Sequence, residues 1–102
     1  MNKPVQKVSQ PYWDYHEVID YIEKKYNIDT RGYKREVDGV YRDFWHWIVD
    51  MCSIHNGSYF YLDIYGWMTD TDLEYVTEWQ QEILKLIFNE FQEEDMRFWV
   101  SW

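Results

Sequence analysis

One alternating stretch decides the fold: SYFYLDIY, residues 58–65. Large apolar side chains occupy one parity of this stretch, at Phe60, Leu62 and Ile64. The other parity is held by Tyr59, Tyr61, Asp63 and Tyr65. Because successive side chains of a β-strand point to opposite faces, this pattern predicts a strand with one face on a core and a second face lined by tyrosines.

The end of the chain repeats the same alternation and predicts a second strand over residues 96–102. The apolar parity consists of Met96, Phe98, Val100 and Trp102, while Trp99 falls on the opposite face. A helix between the two strands favours parallel pairing through a right-handed crossover. Because two strands alone form a marginal sheet, a third is expected from residues 33–37, from the N-terminal arm or from a second copy of the chain.

Three helices are predicted from the 3.6-residue period, over residues 14–26, 40–54 and 72–91. Asp14-x-x-Glu17 and Thr71-x-x-Glu74 resemble capping boxes at the first and third helix starts, and His55-Asn56-Gly57 is a candidate stop for the second. A loop or short hairpin is predicted at 27–39 and a loop at 66–68. The chain is therefore expected to form a single α+β domain over residues 1–102, in the order α-α-β-α-β. Its helices should cover one face of a small sheet, and residues 1–10 should form a mobile or lightly docked arm.

Charge is distributed unevenly along the 102 residues, whose formal net charge is −9. Residues 1–42 carry eight Lys or Arg and seven Asp or Glu, whereas residues 43–102 carry two cations, Lys85 and Arg97, and twelve carboxylates. DNA, RNA and membrane surfaces are polyanionic and would repel the second part. We therefore expect a basic protein as partner, with no direct nucleic-acid or membrane binding.

A row of carboxylates on the third predicted helix is the most specific functional signal. Glu74, Glu78 and Glu82 recur every four residues, a rise of about 6 Å per step. Such a row could imitate the phosphates of a DNA strand, although solvated helix faces also carry charge. Like charges at this spacing cost stability, which favours a use for them. The predicted acidic surface comprises Asp63, Asp70, Asp72, Glu74, Glu78, Glu82, Glu90, Glu93 and Glu94.

Aromatic residues are abundant, with seven Trp, ten Tyr and five Phe. If the apolar strand parity faces the helices, an aromatic surface remains on the other side of the sheet. Tyr and Trp are the residues that most often anchor protein interfaces. The predicted aromatic surface, for a partner or for a homodimer, comprises Tyr59, Tyr61, Tyr65 and Trp99.

Catalytic and cofactor motifs are absent from the sequence: it has no phosphate-binding glycine loop, no Gly-x-Ser-x-Gly and no His-Glu-x-x-His. We expect no cofactor and no enzymatic activity. The best acid–base or metal candidate is Asp43, His46 and Asp50, which share one face of the second predicted helix. Three residues of this kind need a further ligand to hold zinc. The one cysteine, Cys52, is expected to be a buried thiol rather than a nucleophile.

In size, acidity, aromatic content and lack of catalytic motifs, the chain resembles the small acidic inhibitors that phages deploy against host restriction or CRISPR systems. It is similar in the same general features, without a shared motif, to bacterial immunity proteins and antitoxins that neutralise basic nucleases. The resemblance implies a non-enzymatic inhibitor of a basic, nucleic-acid-handling partner, working by DNA mimicry. The alternatives are a small metal- or His-dependent enzyme centred on Asp43, His46 and Asp50, and a self-associating structural subunit.

Localisation follows from hydropathy. No apolar run approaches the roughly 20 residues that span a bilayer. The first residues also lack the apolar segment of a signal peptide. We expect a cytoplasmic protein, in the host cell if it is encoded by a phage.

Overall fold

Alternating burial along two strands organises the fold, as the sequence predicts. A computed structural model describes residues 2–8, 11–30, 35–37, 40–72, 76 and 78–102, with the backbone alone at 35–37 and 40–42. Within these residues the elements are β1 (Trp13–Asp14), α1 (Tyr15–Tyr26), β2 (Arg35–Val37), β3 (Val40–Arg42), α2 (Phe44–Cys52), β4 (Ser58–Asp63), α3 (Ile64–Met68), α4 (Glu78–Phe91) and β5 (Asp95–Val100).

The main sheet has the strand order β1-β5-β4, and its pairing corrects the predicted parallel arrangement. β4 and β5 are antiparallel, with Asp63 opposite Asp95 and Ser58 opposite Val100. The last residue of β4 therefore faces the first residue of β5, because α3 runs back beside α4, with Tyr65 near Phe88 and Trp67 near Gln81. The third strand is β1, which pairs in parallel with β5 and precedes the first helix directly.

The core lies between the inner face of this sheet and the helices. Phe60, Leu62, Met96, Phe98 and Val100 on the sheet are all less than a tenth exposed. Buried residues of α1, α2 and α4 pack against them. The α+β class and the placement of the helices on one sheet face are as predicted. Trp102, expected on this inner face, lies beyond β5 and is exposed, with its ring 5.5 Å from that of Trp45.

Helix α1 confirms its prediction, because the Asp14 carboxylate accepts a hydrogen bond from the Glu17 amide at 3.1 Å and so caps the first turn. The predicted second helix is wrong at both ends. Its first residues form β3, the second strand of an antiparallel hairpin with β2. Asp43 caps α2 instead, and the helix ends at Ser53 in the left-handed conformation rather than at 55–57.

The strand predicted to reach Tyr65 ends at Asp63, and residues predicted as a loop form α3. The Asp63 carboxylate accepts from the Gly66 amide at 2.8 Å, which turns the chain into a helix. A Cβ at Gly66 would overlap this carboxylate, so a larger residue there would displace the capping side chain.

The third predicted helix begins later than expected, at Glu78 rather than near 72. The Asp70 carboxylate accepts from the Asp72 amide at 2.8 Å, so that this part of the connection forms a local turn. The predicted capping partner Glu74 lies outside the described residues. α4 is the longest helix, with 14 residues, and none in the described part of the chain could cross a membrane.

Candidate interaction surface

The outer face of the sheet carries most of the predicted aromatic surface. Tyr59 and Tyr61 on β4 are 41% and 72% exposed. Tyr59 lies directly opposite Trp99 on β5, and their ring centroids are 4.8 Å apart. The fourth predicted member, Tyr65, is a correction: it is exposed but belongs to α3, where its ring is 6.2 Å from that of Phe88.

Two residues that the sequence did not single out complete this face. Tyr12, just before β1, packs edge-on against Tyr59 at 5.4 Å. The guanidinium of Arg97 lies 4.0 Å from the centroid of the Tyr59 ring, a cation–π contact. Arg97 shares the strand parity of Trp99, whereas the position of Tyr12 depends on long-range packing. We name Tyr12, Tyr59, Tyr61, Arg97 and Trp99 the aromatic sheet face.

Carboxylates continue the same outer face toward the α4 end of the strands. Two residues beyond the Tyr61–Arg97 pair, about 7 Å along the strands, Asp63 stands directly opposite Asp95. Glu93 and Glu94 precede Asp95 at the turn that follows α4. We name Asp63, Glu93, Glu94 and Asp95 the acidic sheet end.

Charge at the acidic sheet end is not neutralised by any cation in the part of the chain that the structure describes. Lys25 pairs with Glu90 at 2.7 Å, Lys7 pairs with Glu17 at 3.5 Å, and no ion pair reaches the four carboxylates. Like charges directly opposite on paired strands are destabilising. The partial negative charge at the C-terminal end of α4 adds to the same field.

The remaining members of the predicted acidic surface separate into three groups. Glu78 and Glu82 are exposed, one turn apart on α4, whereas Glu74 lies outside the described residues. Asp70 is half-buried and Asp72 is exposed, both in the α3–α4 connection. Glu90 is a correction, because its side chain is only 8% exposed and its carboxylate is held inside the protein.

Glu90 joins α1 to α4 through a local hydrogen-bond network. Its carboxylate accepts from the hydroxyl groups of Tyr26 at 2.5 Å and Tyr21 at 3.2 Å, in addition to the Lys25 ion pair. Lys3 donates to the Glu90 backbone carbonyl and so ties the N-terminal segment to the same point. The hydrogen bonds from Lys25 and Tyr26 lower the pKa of Glu90, and the Glu90 carboxylate raises the pKa of Lys25.

The predicted acid–base group is brought together in part. Asp43 is 2% exposed, and its Oδ1 is 2.8 Å from His46 Nδ1 and 2.7 Å from the His46 amide nitrogen. His46 itself is 67% exposed at the side chain. Asp50 is exposed one turn further along α2. Among the described residues, no group of three or more His, Cys, Asp or Glu side chains could hold a metal ion.

His46 and Asp43 also line a pocket of about 300 Å³ with His16, Trp45 and Trp102. His16 Nε2 is 2.8 Å from the Ser101 carbonyl oxygen, so the two imidazoles engage different partners. Cys52, at the other end of α2, is half-buried, and burial raises the pKa of its thiol to about 11. Such a thiol is poorly ionised at neutral pH and is a weak nucleophile.

Comparison of the chain with protein-family models, with curated proteins and with solved structures found no match.

Proposed function

We propose that this protein is a non-enzymatic binding protein that inhibits a basic, nucleic-acid-handling partner by covering its cationic surface. One observation carries the proposal: Asp63 and Asp95 face each other across β4 and β5, form no ion pair with the described residues, and lie next to exposed Tyr61 on the same face. Aromatic anchors beside a strongly charged patch are typical of protein interfaces, where the rings supply affinity and the charge supplies steering.

The chemistry of the partner follows from the sign and density of the charge. Cationic surfaces that bind duplex phosphates would be attracted to the acidic sheet end and to the exposed Glu78 and Glu82 on α4. An inhibitor of a restriction or CRISPR complex, or of a basic nuclease, would need this chemistry. It would meet such a partner in the cytoplasm. Self-association through the aromatic sheet face is less favourable, because a twofold contact would bring two acidic sheet ends into one interface.

The test is displacement of DNA from a captured partner. Immobilised protein is incubated with cell lysate at low and high salt, and a nucleic-acid-binding protein retained only at low salt is purified. Wild-type protein should then displace labelled duplex DNA from this partner. Glu94→Lys/Asp95→Lys should weaken displacement at least tenfold, because it reverses the charge at the acidic sheet end. Both side chains are exposed.

A second charge reversal of the same size tests the other acidic surface, on α4. Glu78→Lys/Glu82→Lys changes the net charge by the same four units at a different exposed surface. If this variant alone weakens displacement, the partner contacts the surface around Glu78 and Glu82 on α4. If Glu94→Lys/Asp95→Lys displaces DNA as well as wild type does, the acidic sheet end is not the contact. Sedimentation at several concentrations identifies a homodimer, which would assign the aromatic sheet face to self-association.

The alternative function, a His-dependent enzyme, rests on the bond between Asp43 and His46. A buried carboxylate that engages the Nδ1 of a histidine beside a pocket is an arrangement used by general bases. The same carboxylate also caps α2, a structural role that accounts for its burial. His46→Ala should therefore leave DNA displacement unchanged. Loss of the protein's effect in that variant would favour the enzyme.

A further inference from the structure

One edge of the main sheet carries backbone groups without a strand partner. β4 is the last strand in the order β1-β5-β4 and pairs with β5 on one side only. An antiparallel strand directs the N–H and C=O groups of alternate residues to opposite sides, so about half of those in β4 point away from β5. Among the described residues, the one hydrogen bond to this backbone from outside the sheet comes from Cys52, whose Sγ lies 4.0 Å from the Tyr61 carbonyl oxygen. A thiol is a weak donor, so an amide of an added strand can replace it.

The opposite edge of the sheet offers much less backbone. β1 has only two residues, and just before it Lys7 and Tyr12 form an isolated bridge within the N-terminal segment. β4, in contrast, has six residues and lacks the features that keep edge strands apart: it has no Lys, no Pro and no charge on its inward parity, which holds Phe60 and Leu62. Such an edge readily accepts another strand.

The acidic sheet end determines which strand fits this edge. A strand added beside β4 places one of its side chains directly opposite Asp63 on the outer face, with Asp95 at the same level on β5. Asp63 is exposed, and the hydrogen bond that its Oδ1 accepts from the Gly66 amide leaves its negative charge in place. Opposite charges across paired strands are stabilising, which favours Lys or Arg in the added strand. A second copy of this chain would instead bring its own net charge of −9 to the interface.

We infer that β4 receives an extended segment of the basic partner as a fourth strand of the sheet, an inference that rests on the proposed function. Backbone hydrogen bonds to the outer edge of β4 supply the affinity, and the alternating side chains of the segment supply the specificity. A Lys or Arg opposite Asp63 sets the register, because a slip by one residue moves that side chain to the other face. The next outward side chain of the segment then packs beside exposed Tyr61.

A synthetic peptide tests the inference without the partner. Acetyl-Lys-Val-Thr-Val-Thr-Val-amide has the required alternation, and in antiparallel pairing with β4 its Lys lies opposite Asp63. Titrated to about 20 mM into the whole chain, it should shift the NMR signals of the outward-facing amides of Ser58–Asp63 and saturate with a Kd of about 1–10 mM. It should also slow the hydrogen exchange of those amides. Unchanged amide signals in β4 would overturn the inference.

Two N-methylated forms of the peptide separate strand pairing from binding through side chains. Only alternate amides of an added strand face β4. Methylation of the facing set removes those donors and should weaken binding about tenfold or more, whereas methylation of the other set should weaken it by less than about threefold. Equal binding of the two forms would mean that the backbone of β4 is not the contact, and the inference would be wrong.

The role of charge is tested on both molecules. Asp63→Asn removes the charge and keeps a side-chain oxygen for the Gly66 amide, and it should weaken binding of the lysine peptide about threefold. Glu78→Gln is the matched control, because it removes one charge from an exposed position on α4 and should leave peptide binding unchanged. A peptide with Glu in place of Lys should bind more weakly than the lysine peptide. Equal affinities of these two peptides would contradict a basic segment.

Two other occupants of the edge give different results. If a second copy of the chain pairs with β4, sedimentation shows a dimer, and the outward-facing amides of β4 exchange more slowly as protein concentration rises. If another part of the same chain covers the edge, those amides exchange slowly at every concentration and do not respond to the peptide. Either result would overturn the inference.

Failure of strand addition is distinguishable from failure of the proposed function. The peptide titration uses no partner, whereas DNA displacement uses no peptide. If displacement depends on Glu94 and Asp95 while the peptide does not bind, the proposed function stands without strand addition. If the peptide binds as expected while no DNA is displaced, the edge of β4 is a strand-binding site and the proposed function is wrong.

Discussion

Replacement of Phe98 by Ala is expected to lower the free energy of unfolding by about 3–5 kcal/mol. Phe98 is fully buried at the centre of β5, where it pairs in register with Trp13 on one side and Phe60 on the other. Its ring stacks on that of Phe60 at 5.3 Å and meets Tyr15 edge-on at 5.8 Å. A cavity at this point removes contacts from both neighbouring strands and from α1.

Urea denaturation followed by tryptophan fluorescence measures the loss. Tyr61→Ala is the control, since Tyr61 lies on the opposite face of the same strand pair and is 72% exposed. Its removal should cost about 0.5 kcal/mol or less. A loss for Tyr61→Ala as large as that for Phe98→Ala would mean that the tyrosine face is covered by the rest of the protein as well.

The alternation at 58–65 and 96–102 was sufficient to predict which side chains of β4 and β5 enter the core. It could not predict the pairing direction. Which face a side chain occupies depends on its position within the strand, whereas the relative direction of β4 and β5 depends on the path of the chain between them. In the structure α3 runs back beside α4, with the Tyr65 ring near Phe88 and the Trp67 carbonyl near Gln81, so that α4 ends near Asp63 and β5 starts opposite it.

The predicted helix boundaries are wrong at two places where the spacing of apolar residues indicates one boundary and a capping aspartate sets another. Asp43 and Asp63 each accept a backbone amide three residues ahead and so fix a helix start. The apolar positions preceding Asp43 fit a helical stripe by spacing alone, and those following Asp63 fit strand alternation. In both places the carboxylate, which satisfies an otherwise unpaired amide, determined the boundary.

The acidic surface illustrates the limit of sequence reasoning about sites. Sequence places Glu90 and Glu94 on one acidic segment, yet one side chain is enclosed and the other is exposed. The difference arises from Tyr21, Tyr26 and Lys25 on α1, more than sixty residues away. No local pattern contains that information.

Replacement of Glu90 by Gln is expected to lower the free energy of unfolding by about 2 kcal/mol at pH 7. The charged carboxylate accepts two tyrosine hydroxyl groups and pairs with Lys25. An amide keeps the shape but weakens all three interactions and directs an N–H₂ group toward donors. Glu93→Gln is the matched control, because Glu93 lies just beyond the same helix and makes no side-chain hydrogen bond or ion pair within the described residues. This control should change the free energy of unfolding by less than about 0.5 kcal/mol.

The effect of Glu90→Gln should also depend on pH in one direction. The pKa of Glu90 is lower in the folded protein than in the unfolded chain, so on acidification the unfolded chain takes up this proton first. The stabilising contribution of the carboxylate is thus complete above its ordinary pKa of 4.5 and is lost as pH falls through the lowered folded value. Urea denaturation of wild type and variant at pH 7, 5, 4 and 3 should give a difference that shrinks toward acid. If the difference in unfolding free energy stays constant or grows toward acid, Glu90 belongs to the open acidic surface. In that case Glu90→Gln should also weaken DNA displacement. If Glu90 is enclosed, the substitution should leave displacement unchanged.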